Sequence, residues 1–465
     1  MFDMTVIILS LLALIVLAYR GYSVLFLAPL LAVMAAVFSS QQFALAQYTE
    51  VFMQGFAGFA KSFFPLFLLG AMFGYLMEQS GSAKSIAIFI QKFLGPRWAI
   101  LTVTLACALL TYGGVSLFVV AFAVLPIAQN LFREAKIPKR LIPGTLALGS
   151  FTFTMTALPG TPQIQNSIPI PYFGTDIYAA PGLGLTASLI MFLGGVAWLS
   201  YRARRALKLN LGYEHDLTKD QIQFESQNFE LENKGPGVFI SLLPLIVVLF
   251  LNFILTYFVF KPSPDFIQWT GLSELQFKKS VGLWSLIVSL SVALILALVL
   301  NWKRLKNPAK TLNEGAMGAL LPILNTASEV GYGTVIAGLT GFLIIRDSLM
   351  GISDNPMIVQ SISVATLAGI TGSASGGLSI ALEALGKNFV EMAQAASIPL
   401  EVMHRLAVIA CGGLDSLPHN GAVITLLSVS GLSHKQSYLD IGVVTVVLPT
   451  LALGLGIGLA SLGFF

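Results

Sequence analysis

Two short runs of proline, glycine and hydrogen-bonding residues interrupt apolar stretches at matching places in the two halves of the chain. The first run extends from Thr156 to Pro162 and the second from Asp415 to Gly421. A helix that stops and restarts at such a run presents unpaired backbone N–H groups and a partial positive charge at its new N-terminus. Such an end binds an anion without the help of lysine or arginine. Both runs therefore predict reversible binding of a small organic anion.

Four ionisable side chains within apolar segments are candidates for proton exchange, namely Glu329, Glu383, Asp415 and His419. Asp415 and His419 flank Pro418 closely enough to interact. Histidine titrates nearest to neutral pH, and a carboxylate removed from water titrates closer to that range than an exposed one. We predict that this pair is the proton-linked element, with Glu329 and Glu383 as further candidates. The alternatives are that Asp415 only caps the restarting helix and that His419 only donates to the ligand.

Side chains that could orient the anion lie at the two runs and at two glycine-rich turns, where glycine lets the backbone approach a ligand closely. Hydroxyl and amide groups at these places could bond a carboxylate or a hydroxyl group. For any single serine or threonine, the alternative is a hydrogen bond back to its own helix. The predicted ligand-binding residues are Gly113, Gly114, Ser116, Thr156, Gly160, Thr161, Gln163, Asn166, Ser373, Ser375, Gly376, Gly377, Ser379, His419 and Asn420.

The composition indicates a helical membrane protein with many spans. Hydrophobic residues make up 56% of the 465 residues and charged residues 10%, against about 25% charged in soluble domains. Apolar runs of about 20 residues, the length that crosses a bilayer, recur from end to end. The net charge of +4 lies mostly in loops, where it reports orientation rather than binding of nucleic acid. The four histidines are scattered and the two cysteines lie in apolar stretches, so we expect neither a metal nor another cofactor.

Weak internal similarities predict that the two halves are repeats. Phe64-Pro65-Leu66-Phe67 resembles Leu321-Pro322-Ile323-Leu324, and Gly113-Gly114-Val115-Ser116 resembles Gly376-Gly377-Leu378-Ser379. Ile137-Pro138 also matches Ile398-Pro399, and Leu158-Pro159 matches Leu417-Pro418. All four matches fall in the same order, at offsets of 257 to 263 residues. We predict an all-α fold of two inverted repeats, each with about five spans, one re-entrant hairpin and a helix broken at the midplane. Twelve or more ordinary helices without hairpins are the alternative.

Clusters of lysine and arginine, placed in the cytoplasm by the positive-inside rule, give the predicted topology. An odd number of crossings in the first half inverts the second. The repeats are predicted at 1–201 and 237–465, with a cytoplasmic linker at 202–236. His404 and Arg405 are expected to reach the membrane boundary, and Glu78 to end its span there. The predicted spans are 4–19, 23–40, 59–79, 141–169, 182–200, 238–260, 281–301, 314–336, 402–430 and 440–463, with hairpins at 99–130 and 357–395 and a surface helix at 82–93.

The whole chain resembles the GntP-type permeases, bacterial inner-membrane symporters for gluconate and other small organic acids. The resemblance is carried by TALPGTPQIQN, from Thr156 to Asn166, and by LDSLPHNGAVIT, from Leu414 to Thr425. These motifs are similar to the branch assigned to 3-hydroxybutyrate and related acids, whereas gluconate permeases have more histidine and proline there. The resemblance implies inverted repeats, re-entrant hairpins, a homodimer held by scaffold spans and elevator movement of a transport domain.

The remaining choice concerns the coupling ion and the class of protein. Sodium would need backbone carbonyls with serine, threonine or asparagine oxygens as ligands. The superfamily's sodium-driven members carry Ser-Asn-Thr triplets at the tips of their hairpins, and neither predicted hairpin tip of this chain has one. An enzyme is disfavoured because neither a Gly-x-Ser-x-Gly elbow nor a His-Glu-x-x-His pair occurs. A passive channel would not need two inverted halves. We predict proton-coupled symport of a small hydroxy- or keto-monocarboxylate, 3-hydroxybutyrate first and gluconate second.

Overall fold

The computed structural model describes residues 2–20, 22–40, 43–115, 117–216, 235–261, 263–418 and 420–465. Helices and turns make up these residues, and no strand occurs among them. Five of the described helices are long and apolar enough to cross a membrane, and two bent helix pairs raise the number to seven. The predicted all-α membrane fold with broken helices is confirmed.

The helices follow one another in a similar order in the two halves. The first half contains α1 (Phe2–Tyr19), α2 (Val24–Ser40), α3 (Ala44–Gln79), α4 (Ser82–Leu94), α5 (Ala99–Tyr112), α6 (Leu117–Glu134), α7 (Ile142–Ser150), the short helices Phe153–Thr156, Ile164–Ser167 and Ile170–Phe173, and α8 (Pro181–Lys208). The second half contains α9 (Val238–Val259), the short helix Pro264–Thr270, α10 (Glu274–Asn301), α11 (Pro308–Ala337), α12 (Thr340–Met350), α13 (Pro356–Thr371), α14 (Ala374–Ala395), α15 (Leu400–Cys411), α16 (Gly421–Ser430) and α17 (His434–Ser461).

Two helical hairpins lie close to the predicted positions. Helices α5 and α6 pack against each other as the first hairpin, and α13 and α14 form the second. Ahead of the first hairpin, α4 is inclined by 106° to the helical segment that follows it. Segments without regular long helices separate Thr156 from Ile164 (the first break) and Cys411 from Gly421 (the second break). Each half therefore has one hairpin followed by one interrupted helix.

The halves exchange packing partners in a reciprocal way. Helix α2 packs against α11, and its counterpart α10 packs against α3. Helix α1 packs against α12, while its counterpart α9 packs against α4. The counterparts α3 and α11 contact each other, as do α8 and α17. Such exchange is the pattern that a two-fold relationship between repeats produces, and the inversion of the second half stays a prediction.

The start of the predicted linker is helical, because α8 continues to Lys208. Within this extension, Arg202 donates from Nε to Oδ1 of Asp440 at 2.8 Å, and Trp198 donates to the same oxygen at 3.0 Å. Asp440 is fully buried in α17. The pair therefore joins the last long helices of the two halves. Residues 217–234, most of the predicted linker, lie outside the described residues.

Candidate functional site

A central cavity of about 890 Å³ lies where elements of both halves meet. Its wall includes α11 from Leu321 to Glu329, the second hairpin from Ile370 to Ser375, and Asp415 and Asn420 of the second break. The first half contributes Phe67 of α3, Leu117 of α6, and Phe151, Met155 and Gln165 around the first break. The cavity extends to Arg20, Tyr22 and Ser23, between α1 and α2.

Three helices begin at this cavity. The first residues of α6, α14 and α16 are Leu117, Ala374 and Gly421, and all three line it. Because backbone N–H groups and the positive ends of helix dipoles point out of helix N-termini, the cavity wall attracts anions. Among the described lining residues, Arg20 is the one basic side chain. An anion in this cavity would therefore depend mainly on backbone dipoles.

Two caps hold the starts of the second-half helices in place. The Ser373 hydroxyl accepts a hydrogen bond from Gly376 N at 3.0 Å, and Asn420 Oδ1 accepts one from Val423 N at 2.8 Å. Asn420 is therefore the N-cap of α16, so Asp415 does not have the capping role considered as its alternative.

Both Glu329 and Asp415 line the cavity and are almost fully buried, with 5% and 4% of their surfaces exposed. The Glu329 carboxylate lies against the backbone of α14 at Gly376, and its Oε2 has no hydrogen-bond partner among the described residues. Asp415 accepts a hydrogen bond from the Ser416 hydroxyl at 3.0 Å. The cavity thus brings together two of the four predicted proton-exchanging groups.

Close approach between Glu329 and Gly376 gives a first prediction. A Cβ atom at residue 376 would overlap the Glu329 carboxylate, so Gly376→Ala should displace either the carboxylate or the hairpin and lower transport at least about tenfold, equal to about 1.4 kcal/mol. Gly318→Ala is the matched control, because residue 318 lies on α11 with open space around its Cβ position. Normal uptake by Gly376→Ala would show that this contact is dispensable.

Amide side chains at the restart of each broken helix fasten the hairpin of the same half. Gln163 donates from Nε2 to the carbonyl oxygen of Thr111 at 2.7 Å, at the end of α5. Asn420 donates from Nδ2 to the carbonyl oxygen of Gly372 at 2.8 Å, just after α13. Helix ends leave carbonyls without an intrahelical partner; the Thr111 carbonyl also accepts from Gly114 N at 3.0 Å. The two predicted ligand-binding residues thus position a hairpin turn as well.

The first break is organised by Arg405, which the sequence placed at the membrane boundary. That expectation is wrong, because Arg405 and His404 are fully buried. The Arg405 guanidinium donates to the carbonyl oxygens of Ala157, Ile177 and Ala179 and to Asn166 Oδ1, at 2.9 to 3.3 Å. The chain between Thr156 and α8 wraps around α15, so this cation lies inside protein and its carbonyl partners replace water.

Asn166 takes part in the same network. Its Nδ2 donates to the carbonyl oxygens of Thr161 and Ile177, and its Oδ1 accepts from Arg405 and lies 3.4 Å from His404 Nε2. These bonds engage the whole amide, which points to a structural role in the first break. The two breaks also meet directly, because a Cβ atom at Gly412 would clash with Thr156.

The structure divides the predicted site residues into three groups. The cavity is lined by Glu329, Ser373, Ser375, Asp415 and Asn420. The other described candidates do not line it, namely Gly113, Gly114, Thr156, Gly160, Thr161, Gln163, Asn166, Gly376, Gly377, Ser379 and Glu383, the last of which lines a different cavity. Ser116 and His419 lie outside the described residues.

Several of these positions have evident packing roles. Gly114 has a φ of +94° in the turn of the first hairpin, a conformation that favours glycine. The second hairpin turns at Gly372, which has a φ of +61°. Gly376 and Gly377 are therefore helical residues rather than the tip, and Gly377 allows α14 to touch Ala368 of α13.

The polar residues of the cavity that the sequence did not predict are Arg20, Tyr22, Ser23, Gln165, Asn325, Thr326 and Thr371. Gln165 Oε1 and Asn325 Oδ1 are buried and have no hydrogen-bond partner among the described residues. A signal was present, because Gln165 lies inside the first family motif and Asn325 lies four residues before Glu329. Residues i and i+4 share one face of a helix, so Asn325 and Glu329 face the same cavity.

Comparisons with known proteins identify relatives over most of the chain. A model described as GntP family permease matches residues 2–325. An uncharacterized transporter of Bacillus subtilis, YxjC, is 44% identical over 453 residues, 96% of each chain. An uncharacterized permease of Haemophilus influenzae is 24% identical over 323 residues, covering 68% of this chain and 63% of that one. The crystal structure of the Alcanivorax borkumensis YdaH transporter, described as having an unusual topology, matches with a TM-score of 0.57 at 15% identity, over 100% of this chain and 99% of that one.

Proposed function

This chain belongs to the GntP permease family of secondary transporters, and we propose that it carries a small hydroxy- or keto-monocarboxylate in symport with protons. Three helix N-termini converging on one cavity are the observation that supports an anionic substrate. A bacterial inner membrane is the proposed location.

The amide oxygens in the cavity favour a substrate that also carries a hydroxyl group. Gln165 Oε1 and Asn325 Oδ1 accept hydrogen bonds but cannot donate them, so each matches a hydroxyl donor. The substrate carboxylate would lie at the starts of α14 and α16, beside Ser375 and Asn420. We place 3-hydroxybutyrate first. Gluconate is the second candidate, because a cavity of about 890 Å³ is within the usual range for ligands much larger than a four-carbon acid.

Proton coupling follows from charge repulsion in the cavity. A substrate carboxylate would share the cavity with Glu329 and Asp415, and two like unit charges 4 Å apart repel by about 4 kcal/mol at an effective dielectric constant of 20. Protonation of either residue relieves this repulsion, so binding of the anion and binding of a proton favour each other. Such mutual dependence is the thermodynamic requirement for symport. Sodium-coupled transport of a carboxylate remains the rival proposal.

The direction of the opening follows from the charge pattern. Arg20 at the edge of the cavity belongs to the basic clusters that the positive-inside rule assigns to the cytoplasm. We therefore infer that the cavity opens toward the cytoplasm. Delivery from the opposite side would involve elevator movement of the hairpins and broken helices against α2, α3, α10 and α11, within a homodimer.

Uptake by the purified protein in liposomes tests the function. Labelled 3-hydroxybutyrate should accumulate when the outside is more acidic than the inside, and a protonophore should abolish accumulation. An inward sodium gradient at equal pH should have no effect. Accumulation driven by sodium alone would overturn proton coupling, whereas failure of unlabelled hydroxy and keto acids to compete for uptake would overturn the substrate class. Inhibition by gluconate alone would favour the second candidate.

A further inference from the structure

A second cavity of about 610 Å³ is lined by other residues of α3, α11 and α14 than those that line the central cavity. It is bounded by α3, by the outer part of α11, by α14 beyond its first turns, and by the short helix Ile170–Phe173. Glu383, one of the residues predicted for proton exchange, lines this second cavity and accepts a hydrogen bond from the Tyr172 hydroxyl at 2.8 Å.

Three helices line both cavities with different segments, and the order of these segments on α3 is the reverse of that on α11 and α14. On α11, Glu329 lines the central cavity and the next residue, Val330, lines the second. On α14, Ser375 lines the central cavity and Glu383 the second. On α3, Phe67 lines the central cavity, whereas residues from Gln54 to Phe63 line the second. The cavities therefore lie at opposite ends of one path between α3, α11 and α14.

A short, tightly packed seam separates them. Gly376 of α14 lies against the Glu329 carboxylate, and a Cβ atom at Gly333 would lie 3.3 Å from Ile380. Glycine on each helix brings the two backbones together over little more than one turn. On α14, these contacts lie between the residues that line the central cavity and those that line the second cavity.

Lysines lie on two sides of the second cavity. Lys279 extends from α10 and Lys387 from α14. Lys387 is highly exposed and lies 3.9 Å from Glu391, a separation at which an exposed pair binds weakly. Glu383 is the one carboxylate among the described lining residues, so the two lysines leave a net surplus of one positive charge. A cleft with a surplus of one charge concentrates ions of the opposite sign and raises their association rate.

We propose that the second cavity is the vestibule in which the organic anion is captured on the side of the membrane opposite to the central opening, with Lys279 and Lys387 as its carboxylate-binding groups. This inference rests on the proposed function in taking the substrate as an anion. Capture by both lysines brings the anion to the seam beside Glu329, from which movement of the second hairpin admits it to the central cavity.

Thiol labelling tests the location of the vestibule without any transport measurement. Cys107 and Cys411 are buried, so a cysteine added at the surface of a cavity is the reactive one. Ser62 lines the second cavity and Ser23 the central cavity. An impermeant methanethiosulfonate should label Ser62→Cys in intact cells and Ser23→Cys in inverted vesicles. The opposite pattern, or labelling of both from one side, would overturn the proposal.

The role of the lysines has its own readout. An anionic methanethiosulfonate should react with Ser62→Cys faster than a cationic one, and Lys279→Gln with Lys387→Gln should lower that ratio at least about tenfold at low salt. An unchanged ratio would refute the capture role. In uptake assays Lys387→Gln should raise KM several-fold with little effect on kcat. Lys310→Gln is the matched control, because Lys310 also pairs with a glutamate four residues later, at 3.7 Å, but lies outside the second cavity. Sodium-driven uptake with the expected labelling would refute proton coupling and leave the vestibule in place.

Discussion

Replacing Asp415 with asparagine is expected to lower proton-driven accumulation about 100-fold, near the upper end of usual coupling free energies between two sites, while substrate exchange continues. Asparagine has nearly the same shape, and its amide oxygen can still accept the hydrogen bond from the Ser416 hydroxyl. It cannot carry a proton, so residue 415 can no longer change the charge of the cavity during the cycle. Exchange of one substrate molecule for another needs no net proton movement and should persist.

The measurement compares accumulation against a pH gradient with exchange at equal pH, in liposomes containing the same amount of protein. Glu329→Gln is the informative second variant, because Glu329 lines the same cavity. If one of the two variants accumulates normally, the other residue carries the proton. Asp265→Asn is the control, since Asp265 is exposed in the short helix between α9 and α10. Full accumulation by both cavity variants would remove these carboxylates from the coupling mechanism.

Much of the fold could be predicted because its signals are local. The hairpins were expected at 99–130 and 357–395, and the helices that form them extend from Ala99 to Glu134 and from Pro356 to Ala395. The sequence predicted legs too short to span a bilayer, but α6 has 18 residues and α14 has 22; the glycine-containing turn between two apolar segments is the signal that located each hairpin. The meeting of the two breaks at Thr156 and Gly412 also agrees with the expectation that they converge.

The site was harder to predict, because the local sequence does not determine which cavity a side chain points into. Glycine at residues 376 and 377 suggested a turn next to the ligand, yet these residues are helical and allow close packing against Glu329 and Ala368. Glu383 is an acidic residue in an apolar segment, as Glu329 is, but it bonds Tyr172 in the second cavity. Which side of a helix meets which cavity depends on packing between elements hundreds of residues apart.

Arg405 illustrates the same limit. Its position near the start of an apolar segment suggested that its side chain reaches the membrane boundary, because long cationic side chains usually do so. The carbonyl groups that surround it belong to residues 157–179, and no sequence signal links that segment to α15. A buried cation in an irregular segment is tolerated because unwound backbone supplies acceptors that a regular helix would use internally.

Substitution of Arg405 by methionine is therefore expected to destabilise the protein strongly and to abolish transport. Methionine retains most of the apolar stem but leaves the carbonyl oxygens of Ala157 and Ala179 without the donor that Arg405 supplies, and each buried unsatisfied group costs about 1–3 kcal/mol. Arg405→Lys should be intermediate, because one ammonium group replaces a planar fork that donates from three nitrogens. The melting temperature in detergent and the affinity for substrate should both decrease in the order arginine, lysine, methionine at residue 405.

Arg346→Met is the control for this series. Arg346 pairs with Asp347 at 2.8 Å with about a third of its side chain exposed, 34%, so its loss should change melting little. If Arg405→Met melts like the parent protein, the guanidinium does not hold the first break. If Arg405→Lys has the melting temperature of the parent protein but a lower affinity for substrate, the planar guanidinium group contributes to binding as well as to stability. The first break borders the central cavity at Met155 and Gln165, so a displaced segment would move Gln165 away from the hydroxyl group of the proposed substrate.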